Sequence, residues 1–343
     1  MEAKDWSFSS TWNDGLIPVE RKPEPRDYIW ASELGGAMID RYLKMKGVPY
    51  STPPNIRSLR KFQAGNLWEW IVSFVLKRSG LIISQQNRIK YGYDGLLEVS
   101  GKIDFLGGGK PDWAKVKADL NVYDLPETIL NVANKIIERF ESREECEYRK
   151  LVLEIKSVSS FVYRAIEATE RPMPNHILQC FHYVKGLEKT LGVSQGNIVY
   201  ICKDDCMIAE FPVYNNEAVE AIYKKDIETI TGYYKANERP PLEKLIKFEN
   251  GKFAVNKAIE YSNYLELLYG FQTPEQYRAS VDKVVSGTNR VVKRIINGDK
   301  LTKNNEEKIA EMKKFFPNFD ELMDEAKLMA QLGVSVGEEE TED

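Results

Sequence analysis

The sequence has 343 residues, a length that accommodates about two or three domains with cores of their own. Charged residues make up 29% and hydrophobic residues 43% of the chain, as in globular proteins, and no apolar segment is long enough to span a bilayer. The net charge of −4 argues against a protein that coats nucleic acid through bulk positive charge, although a local basic groove is allowed.

The N-terminal segment and the cysteines favour a cytoplasmic location. The stretch MEAKDWSFSSTWNDG lacks the basic start and the apolar centre of a secretory signal. The cysteines, Cys146, Cys180, Cys202 and Cys206, are too few and too irregularly spaced for a disulfide framework. Cys202 and Cys206 are a weak candidate for a metal site because no second pair follows, and we expect reduced thiols.

The first part of the chain predicts an arm, two helices and two strands. Residues 1–30 combine aromatic residues with the proline-rich PVERKPEPRD, which predicts an extended arm. Helical spacing of apolar residues follows at 32–46 and 56–77. Residues 81–91 then read as one strand, and residues 96–108 alternate with period two, which predicts a second strand with one apolar face.

A long interruption separates these strands from the rest of the α/β pattern. We expect an insertion at 107–148 that contains an amphipathic helix at 126–141. The third strand is LVLEIKSV, residues 151–158. The pattern then predicts a loop. After the loop it predicts a helix at 174–191, strands at 196–203 and 206–214, and a last helix at 215–235.

The last third of the chain has a different character. Residues 241–335 predict a predominantly helical extension, and the acidic tail at 336–343 is expected to be solvated and disordered. The α/β core is therefore expected at residues 31–240.

The strand LVLEIKSV carries two charges on one face. Alternation places Glu154 and Lys156 with Val152 on one face and Ile155 with the leucines on the other. Burying a charge costs on the order of several kcal/mol unless the charge is paired or binds a metal. For this tripeptide alone, an edge strand with a solvated ion pair is the simpler interpretation.

Two further carboxylates lie in neighbouring elements. Asp104 lies at a strand end before the GGG run, and if that strand pairs with LVLEIKSV, Asp104 and Glu154 converge as hard ligands for Mg²⁺ or Mn²⁺, with Lys156 beside them. Glu69 is the only charge in the helical stretch GNLWEWIVSFVL. An aspartate that caps a turn and a glutamate that reaches solvent at a helix edge are the alternatives.

The helix at 174–191 supplies a polar stripe. His176, Gln179 and Tyr183 are spaced i, i+3 and i+7. Such a stripe can orient a metal-bound water or a phosphate, and Tyr183 can stack on a base or donate a hydrogen bond beside the site. The alternative is a half-exposed helix face, which is the interpretation we prefer for His182.

Together these motifs resemble the PD-(D/E)XK nuclease superfamily and, within it, the RecB-type exonucleases and their CRISPR-associated relatives. That family has a helix with GxxxE, a strand with GxxD, a strand with ExK and a helix with QxxxY. The matching stretches here are GNLWE, GKID, EIK and QCFHY. Each motif is weak alone, but four in this order are specific, and they cover roughly residues 30–235. The resemblance implies a restriction-endonuclease-like α/β core, with a central mixed sheet flanked by helices and a helical C-terminal extension.

The resemblance implies a metal-dependent deoxyribonuclease, an exonuclease that hydrolyses phosphodiester bonds in recombination, repair, phage replication or CRISPR-associated processing. The positions that match the catalytic motifs are Glu69, Asp104, Glu154, Lys156, Gln179 and Tyr183. One or two Mg²⁺ or Mn²⁺ ions would be held by Glu69, Asp104, Glu154 and the carbonyl of Ile155. Lys156 would position or deprotonate the attacking water, or offset charge on the phosphate.

Two departures from the family pattern matter. Several RecB-type relatives bind an iron–sulfur cluster through one early cysteine and three late ones. Ala37 lies near the first of these places and no cysteine follows Cys206, so we expect no iron–sulfur cluster. Many relatives also use an early histidine as a metal ligand. The first histidine here is His176, so Glu69 would take that role.

The expected partner is DNA, single- or double-stranded, with no membrane partner, and a homo-oligomer or a recombination or processing partner protein is compatible with the resemblance. Cationic and aromatic side chains near the motifs are candidate contacts to phosphates and bases: Arg57, Arg60, Lys61, Phe161, Tyr163, Arg164 and His176. The alternative functions are a non-catalytic DNA-binding or complex-forming module that keeps the nuclease fold, and a structural subunit that binds neither DNA nor metal.

Overall fold

The computed structural model describes residues 13, 15–16, 22–120, 126–143, 147–249, 252–315, 319–321, 323–324 and 327. The chain divides into two compact units. The first comprises residues 1–36, 41–48 and 54–238, and the second comprises 37–40, 49–53 and 239–343. The acidic tail predicted at 336–343 and most of the predicted arm lie outside the described residues.

The first unit is built on a five-stranded mixed sheet. The strands described in this unit are β1 (Tyr28–Trp30), β2 (Ile82–Gln85), β3 (Arg88–Tyr91), β4 (Glu98–Lys102), β5 (Phe105–Gly109), β6 (Tyr148–Val158), β7 (Gln195–Cys202) and β8 (Ile208–Tyr214). The large sheet has the order β2-β5-β6-β7-β8. Strands β6 and β7 are parallel, and the other neighbours are antiparallel.

Helices cover both faces of this sheet. Helix α1 (Met38–Met45) has residues in both units, and the other helices described in the first unit are α2 (Ile56–Arg78), α3 (Trp113–Leu120), α4 (Glu127–Glu141), α5 (Ser160–Thr169), α6 (Pro174–Leu191) and α7 (Glu217–Ala236). Helix α6 packs so closely on β7 that a Cβ at Gly196 would lie 2.5 Å from Cys180 Sγ. Helix α2 passes over the other face, where a Cβ at Gly65 would lie 3.5 Å from Ser157 Oγ. This mixed sheet flanked by helices confirms the predicted fold class.

Each of the two segments predicted as one long strand forms two strands in different sheets. Strands β3 and β4 leave the large sheet and join β1 in a three-stranded sheet of order β1-β4-β3. The first break lies at Gln86, whose φ of 55° lies in the left-handed region, and the second lies between Lys102 and Phe105. The period of two continues across the second break, so alternation alone did not reveal that change of sheet, whereas the first break lies within a run of five polar residues, 84–88.

Three other predictions need correction. The helix predicted at 32–46 is a short 3-10 turn, Ala31–Glu33, followed by α1, with Gly35 at a φ of 69° between them. The segment after β6, predicted as a loop, forms α5. The insertion predicted at 107–148 is shorter, because β5 continues to Gly109 and β6 begins at Tyr148.

The second unit is mostly helical and contains a hairpin that was not predicted. Strands β9 (Ile246–Glu249) and β10 (Lys252–Val255) are antiparallel. The described helices are α8 (Lys257–Glu260), α9 (Leu265–Tyr269), α10 (Pro274–Ile296) and α11 (Lys303–Phe315). The Asn-Gly pair between the strands is a common hairpin signal, so this hairpin was accessible from the sequence.

The core of the second unit explains the amphipathic pattern of α10. Buried residues of this helix pack with the hairpin and with later helical residues; the cluster includes Tyr277, Val281, Val285, Val292, Phe253, Met312 and Phe319. In both units, no described helix combines the length and the apolar character needed to cross a membrane.

Candidate active site

The pairing of β5 with β6 places two acidic residues together. Phe105 lies opposite Leu153, and the next step of the same register places Asp104 opposite Glu154 on the same face. The ladder between the two strands ends at this point. The Ile155 N–H instead donates a hydrogen bond of 2.8 Å to Asp104 Oδ2. The aspartate side chain therefore takes the place of a strand neighbour, and this contact fixes its orientation.

Glu154 and Lys156 form a polar chain that reaches α6. Glu154 is buried, with 1% of its surface exposed. Lys156 Nζ donates to Glu154 Oε1 at 2.7 Å and to Gln179 Oε1 at 3.0 Å. Gln179 Nε2 donates in turn to the hydroxyl of Tyr183 at 3.2 Å. The structure thus brings together the charged pair of β6 and the two polar residues of the QxxxY motif.

Glu69 joins this group through a residue that the sequence did not indicate. Gln86 Nε2 donates a hydrogen bond to Glu69 Oε1, and the Gln86 N–H donates to the Asp104 carbonyl at 3.3 Å. Gln86 therefore connects α2 to the corner between β4 and β5. No motif marks it, and its left-handed backbone is rare for a residue other than glycine. The polar QQN run at 85–87 was the available signal of a turn.

The carboxylates of this site repel one another. Burial raises the pKa of the Asp104 carboxyl well above its ordinary value, and the negative charges of Glu154 and Glu69 raise it further. Burial also raises the pKa of Glu154, although the nearby Lys156 ammonium lowers it. Glu154 Oε2 is buried and, among the described residues, has no hydrogen-bond partner. The Lys156 ammonium thus compensates Asp104 and Glu154, whereas Glu69 adds to the negative charge around them.

These donors are suited to a divalent cation. Among the described residues, no three His, Cys, Asp or Glu side chains already converge closely enough to hold a metal ion. In this arrangement Glu69 is bonded to Gln86, and Glu154 is bonded to Lys156. The site nevertheless offers hard carboxylate oxygens, and it leaves a buried Glu154 oxygen unsatisfied. A Mg²⁺ or Mn²⁺ ion would coordinate that oxygen and offset the repulsion between the carboxylates.

Both histidines belong to α6, and each contacts a tyrosine hydroxyl. His176 Nδ1 lies 2.8 Å from the Tyr200 hydroxyl, and burial lowers its pKa to about 3, so the ring is neutral. His182 has no exposed surface, and its Nδ1 lies 2.9 Å from the Tyr223 hydroxyl. The interpretation of His182 as a half-exposed surface residue was therefore wrong. Its face of α6 packs against α7.

The other predicted nucleic-acid contacts occupy different environments. Phe161 is 66% exposed at the start of α5, whereas Tyr163 is 4% exposed and lies in the core. We therefore withdraw Tyr163 as a base-stacking residue. Arg60 is half-buried and its Nε donates to Asn13 Oδ1 at 3.1 Å. The remaining cationic candidates are exposed: Arg57, Lys61 and Arg164.

Comparison with known proteins adds distant structural similarity only. No protein-family model and no curated protein sequence match the chain. The crystal structure of a protein designated SSO0001 aligns with a TM-score of 0.39 at 13% identity and covers 76% of this chain and 94% of that one.

Two crystal structures of an alkaline exonuclease, LHK-Exo from Laribacter hongkongensis, also align with the chain. One has a TM-score of 0.32 at 11% identity, and the other, in complex with dAMP, has a TM-score of 0.37 at 12% identity. Each alignment covers 66% of this chain and 93% of that one. Similarity of this degree does not decide the function of the chain.

Neutralising Asp104 is expected to stabilise the metal-free protein. Because the pKa of Asp104 is raised in the folded state, its charge costs stability as the pH rises from the unfolded pKa towards the folded pKa. Asp104→Asn removes this cost and retains an oxygen that accepts from the Ile155 N–H. We expect the melting temperature at neutral pH in EDTA to rise by at least about 2 °C.

The exposed Asp94 provides the matched control, since Asp94→Asn removes one surface charge. The control is expected to leave the melting temperature unchanged. The difference between Asp104→Asn and the wild type should disappear at pH values below the ordinary aspartate pKa. An unchanged or lower melting temperature of Asp104→Asn at neutral pH would contradict the electrostatic description of the site.

Proposed function

We propose that the chain is a divalent-metal-dependent DNA nuclease of the PD-(D/E)XK type. The observation that carries this proposal is the meeting of Asp104 and Glu154 at the end of the β5–β6 ladder, with Lys156 bonded to Glu154. Buried acids beside one lysine, with an unsatisfied carboxylate oxygen, form a poor structural element and a good ligand set for a cation.

The metal would be Mg²⁺ or Mn²⁺, held by Glu69, Asp104, Glu154 and the Ile155 carbonyl. When bound, such an ion supplies Lewis acidity and an activated water. The Asp104 hydrogen bond to the Ile155 N–H uses Oδ2, so Oδ1 is the oxygen assigned to the ion. Gln86 positions Glu69 relative to Asp104. Several separate segments of the chain would thus contribute to one ligand set.

Lys156 would act on the water or on the reacting phosphate. Its Nζ lies within hydrogen-bond distance of Glu154 and Gln179, and both contacts hold the ammonium at the end of β6. In this position it would orient the water or offset charge that develops on the phosphate. Tyr183 supports the arrangement through its hydrogen bond with Gln179. Gln179 and Tyr183 therefore position the lysine.

Exposed cations and an exposed aromatic ring support a nucleic-acid substrate. Phe161 begins α5 directly after β6, and its exposed ring is available to stack on a base. Burial lowers the pKa of Lys203, and the positive charge of Lys61 lowers it further, so these two cations lie near each other. We propose that they contact backbone phosphates, together with Arg57, Arg60 and Arg164.

The finer assignment is an exonuclease that acts on DNA in recombination, repair, phage replication or CRISPR-associated processing in the cytoplasm. A second candidate is a DNA-binding module without catalysis. The engagement of Glu69 by Gln86, with no converged acidic triad among the described residues, favours this alternative. The two candidates differ in whether metal ions produce cleavage.

The purified protein is expected to degrade DNA with Mg²⁺ or Mn²⁺. Lys156→Ala should lower the rate by at least about 100-fold, because it removes the cation beside the reacting phosphate. The assay measures acid-soluble nucleotides released from duplex and single-stranded DNA. Lys90→Ala is the matched control, since Lys90 forms an exposed ion pair with Glu98 at 2.9 Å.

Full activity of Lys156→Ala would remove the assignment of Lys156 and of the site. Tight DNA binding without cleavage in any divalent metal would establish the non-catalytic module instead. Retained melting temperature in the inactive variant separates loss of chemistry from loss of fold.

Gln86→Asn is expected to weaken metal binding. Asparagine tolerates the left-handed backbone of this position, but its shorter amide does not reach Glu69. Loss of a supporting hydrogen bond to a metal ligand typically lowers affinity by about 10- to 100-fold. We therefore expect a Kd for Mn²⁺, measured by calorimetry, at least about 10-fold higher than that of the wild type. Gln85→Asn, on the adjacent residue, serves as the control, and an equal Kd for Gln86→Asn would contradict the positioning role.

A further inference from the structure

The glycine run GGGK, which the proposed chemistry does not use, borders a cavity of about 460 Å³. The cavity lies between the end of α2, strand β2, the end of β5 and helix α3. Its lining includes four cationic residues and two glycines of the GGGK run: Lys77, Arg78, Lys110, Lys115, Gly108 and Gly109. The charge of this lining and its exposed backbone indicate which kind of ligand the cavity could bind.

The lining is more basic than the chain as a whole. Four cationic residues line the cavity, against two acidic residues, Asp112 and Asp119, although the chain has a net charge of −4. The carboxylate of Asp112 accepts a hydrogen bond of 3.0 Å from the Lys115 N–H at the start of α3. The Asp112 carboxylate therefore caps the N-terminus of α3. The net positive lining favours an anionic ligand.

Arg78 provides a fixed cation. It is 3% exposed, and its guanidinium lies 5.3 Å from the centroid of the Phe74 ring. Because packing restricts this side chain, little freedom is lost when the guanidinium binds an oxyanion. An arginine fork matches the geometry of phosphate oxygens.

Glycine at position 108 lets the end of β5 approach β6 closely beside the cavity. Gly108 and Gly109 have φ values of 112° and 75°, in the region that favours glycine. A Cβ at Gly108 would lie 2.3 Å from the Arg149 carbonyl oxygen. This part of the wall therefore consists of backbone, and Lys110 follows it directly.

Helix α2 connects the cavity to the candidate active site. Glu69, Ser73 and Lys77 are spaced i, i+4 and i+8, so they lie on one face of the helix. Ser73 Oγ donates a hydrogen bond of 2.8 Å to Gln85 Oε1, and Gln85 also lines the cavity. At 1.5 Å per residue, Lys77 lies about 12 Å along the axis from Glu69.

We propose that this cavity binds a backbone phosphate of the nucleic-acid strand whose scissile bond lies at the carboxylate site. The proposal rests on the nuclease function proposed above. For a B-form strand whose axis runs along α2, with one phosphate per about 3.4 Å of axis, a separation of about 12 Å corresponds to about three or four nucleotides. The cavity would hold the strand in register while the reacting phosphate is at the acids.

The test compares DNA binding by wild type and by Lys77→Gln/Lys115→Gln. Binding of a short labelled duplex is measured by fluorescence anisotropy in EDTA, over a range of salt concentrations, so that cleavage plays no part. The double variant is expected to bind about 10-fold more weakly, and the slope of log Kd against log salt should fall by about one for each phosphate that the variant no longer neutralises. Lys189→Gln/Lys225→Gln, which changes two exposed lysines of α6 and α7, should match the wild type.

A second measurement locates the contact. Duplexes that carry one uncharged methylphosphonate linkage are compared, with the linkage moved along the strand. The wild type should lose affinity when the linkage lies about three or four nucleotides from the cleaved bond, and the cavity variant should show no loss there. A loss of equal size in both proteins, or unchanged binding of the variant, would overturn the inference.

These outcomes separate the inference from the nuclease proposal. Weaker binding of the cavity variant in a protein that never cleaves DNA would support the phosphate site and refute the nuclease. Normal binding of the variant in a protein that cleaves DNA would refute the site alone. A wild type that neither binds nor cleaves DNA would refute both.

Discussion

The hydrogen bond from the Ile155 N–H to the Asp104 carboxylate is the contact on which the candidate site depends. It forms where β5 stops pairing with β6, so the side chain of Asp104 replaces a backbone partner. Because the Asp104 side chain takes the place of this backbone partner, its carboxylate lies towards Glu154 and Lys156. This replacement also sets the place where Gln86 joins Asp104 to Glu69 on α2. Breaking this one contact would release Asp104 from the group.

The site is held together at an electrostatic cost. Burial raises the pKa values of Asp104 and Glu154, and one buried Glu154 oxygen has no hydrogen-bond partner among the described residues. Lys156 compensates part of this charge and is itself held by Gln179. Folds tolerate such strain where a ligand or a reaction uses it. A divalent cation is the ligand that would relieve it most completely, because it would satisfy the orphan oxygen and neutralise the acids together.

Much of the site was predictable because it follows from strand geometry. A period of two placed Glu154 and Lys156 on one face of LVLEIKSV, and pairing with the preceding strand brought Asp104 beside them. The role of Gln86 was not predictable, because a left-handed glutamine has no sequence signature. The burial of His182 and Tyr163 depends on α7 and on the core, which local pattern does not encode. The change of sheet between β4 and β5 is hidden for the same reason, whereas the polar run at 85–87 was a turn signal between β2 and β3.

The most direct test of the central claim is a crystal of the protein soaked in Mn²⁺, with anomalous scattering used to locate the ion. We predict a peak bonded to carboxylate oxygens of both Asp104 and Glu154. Absence of a peak at these two residues, in crystals of a protein that cleaves DNA with Mn²⁺ in solution, would contradict the account.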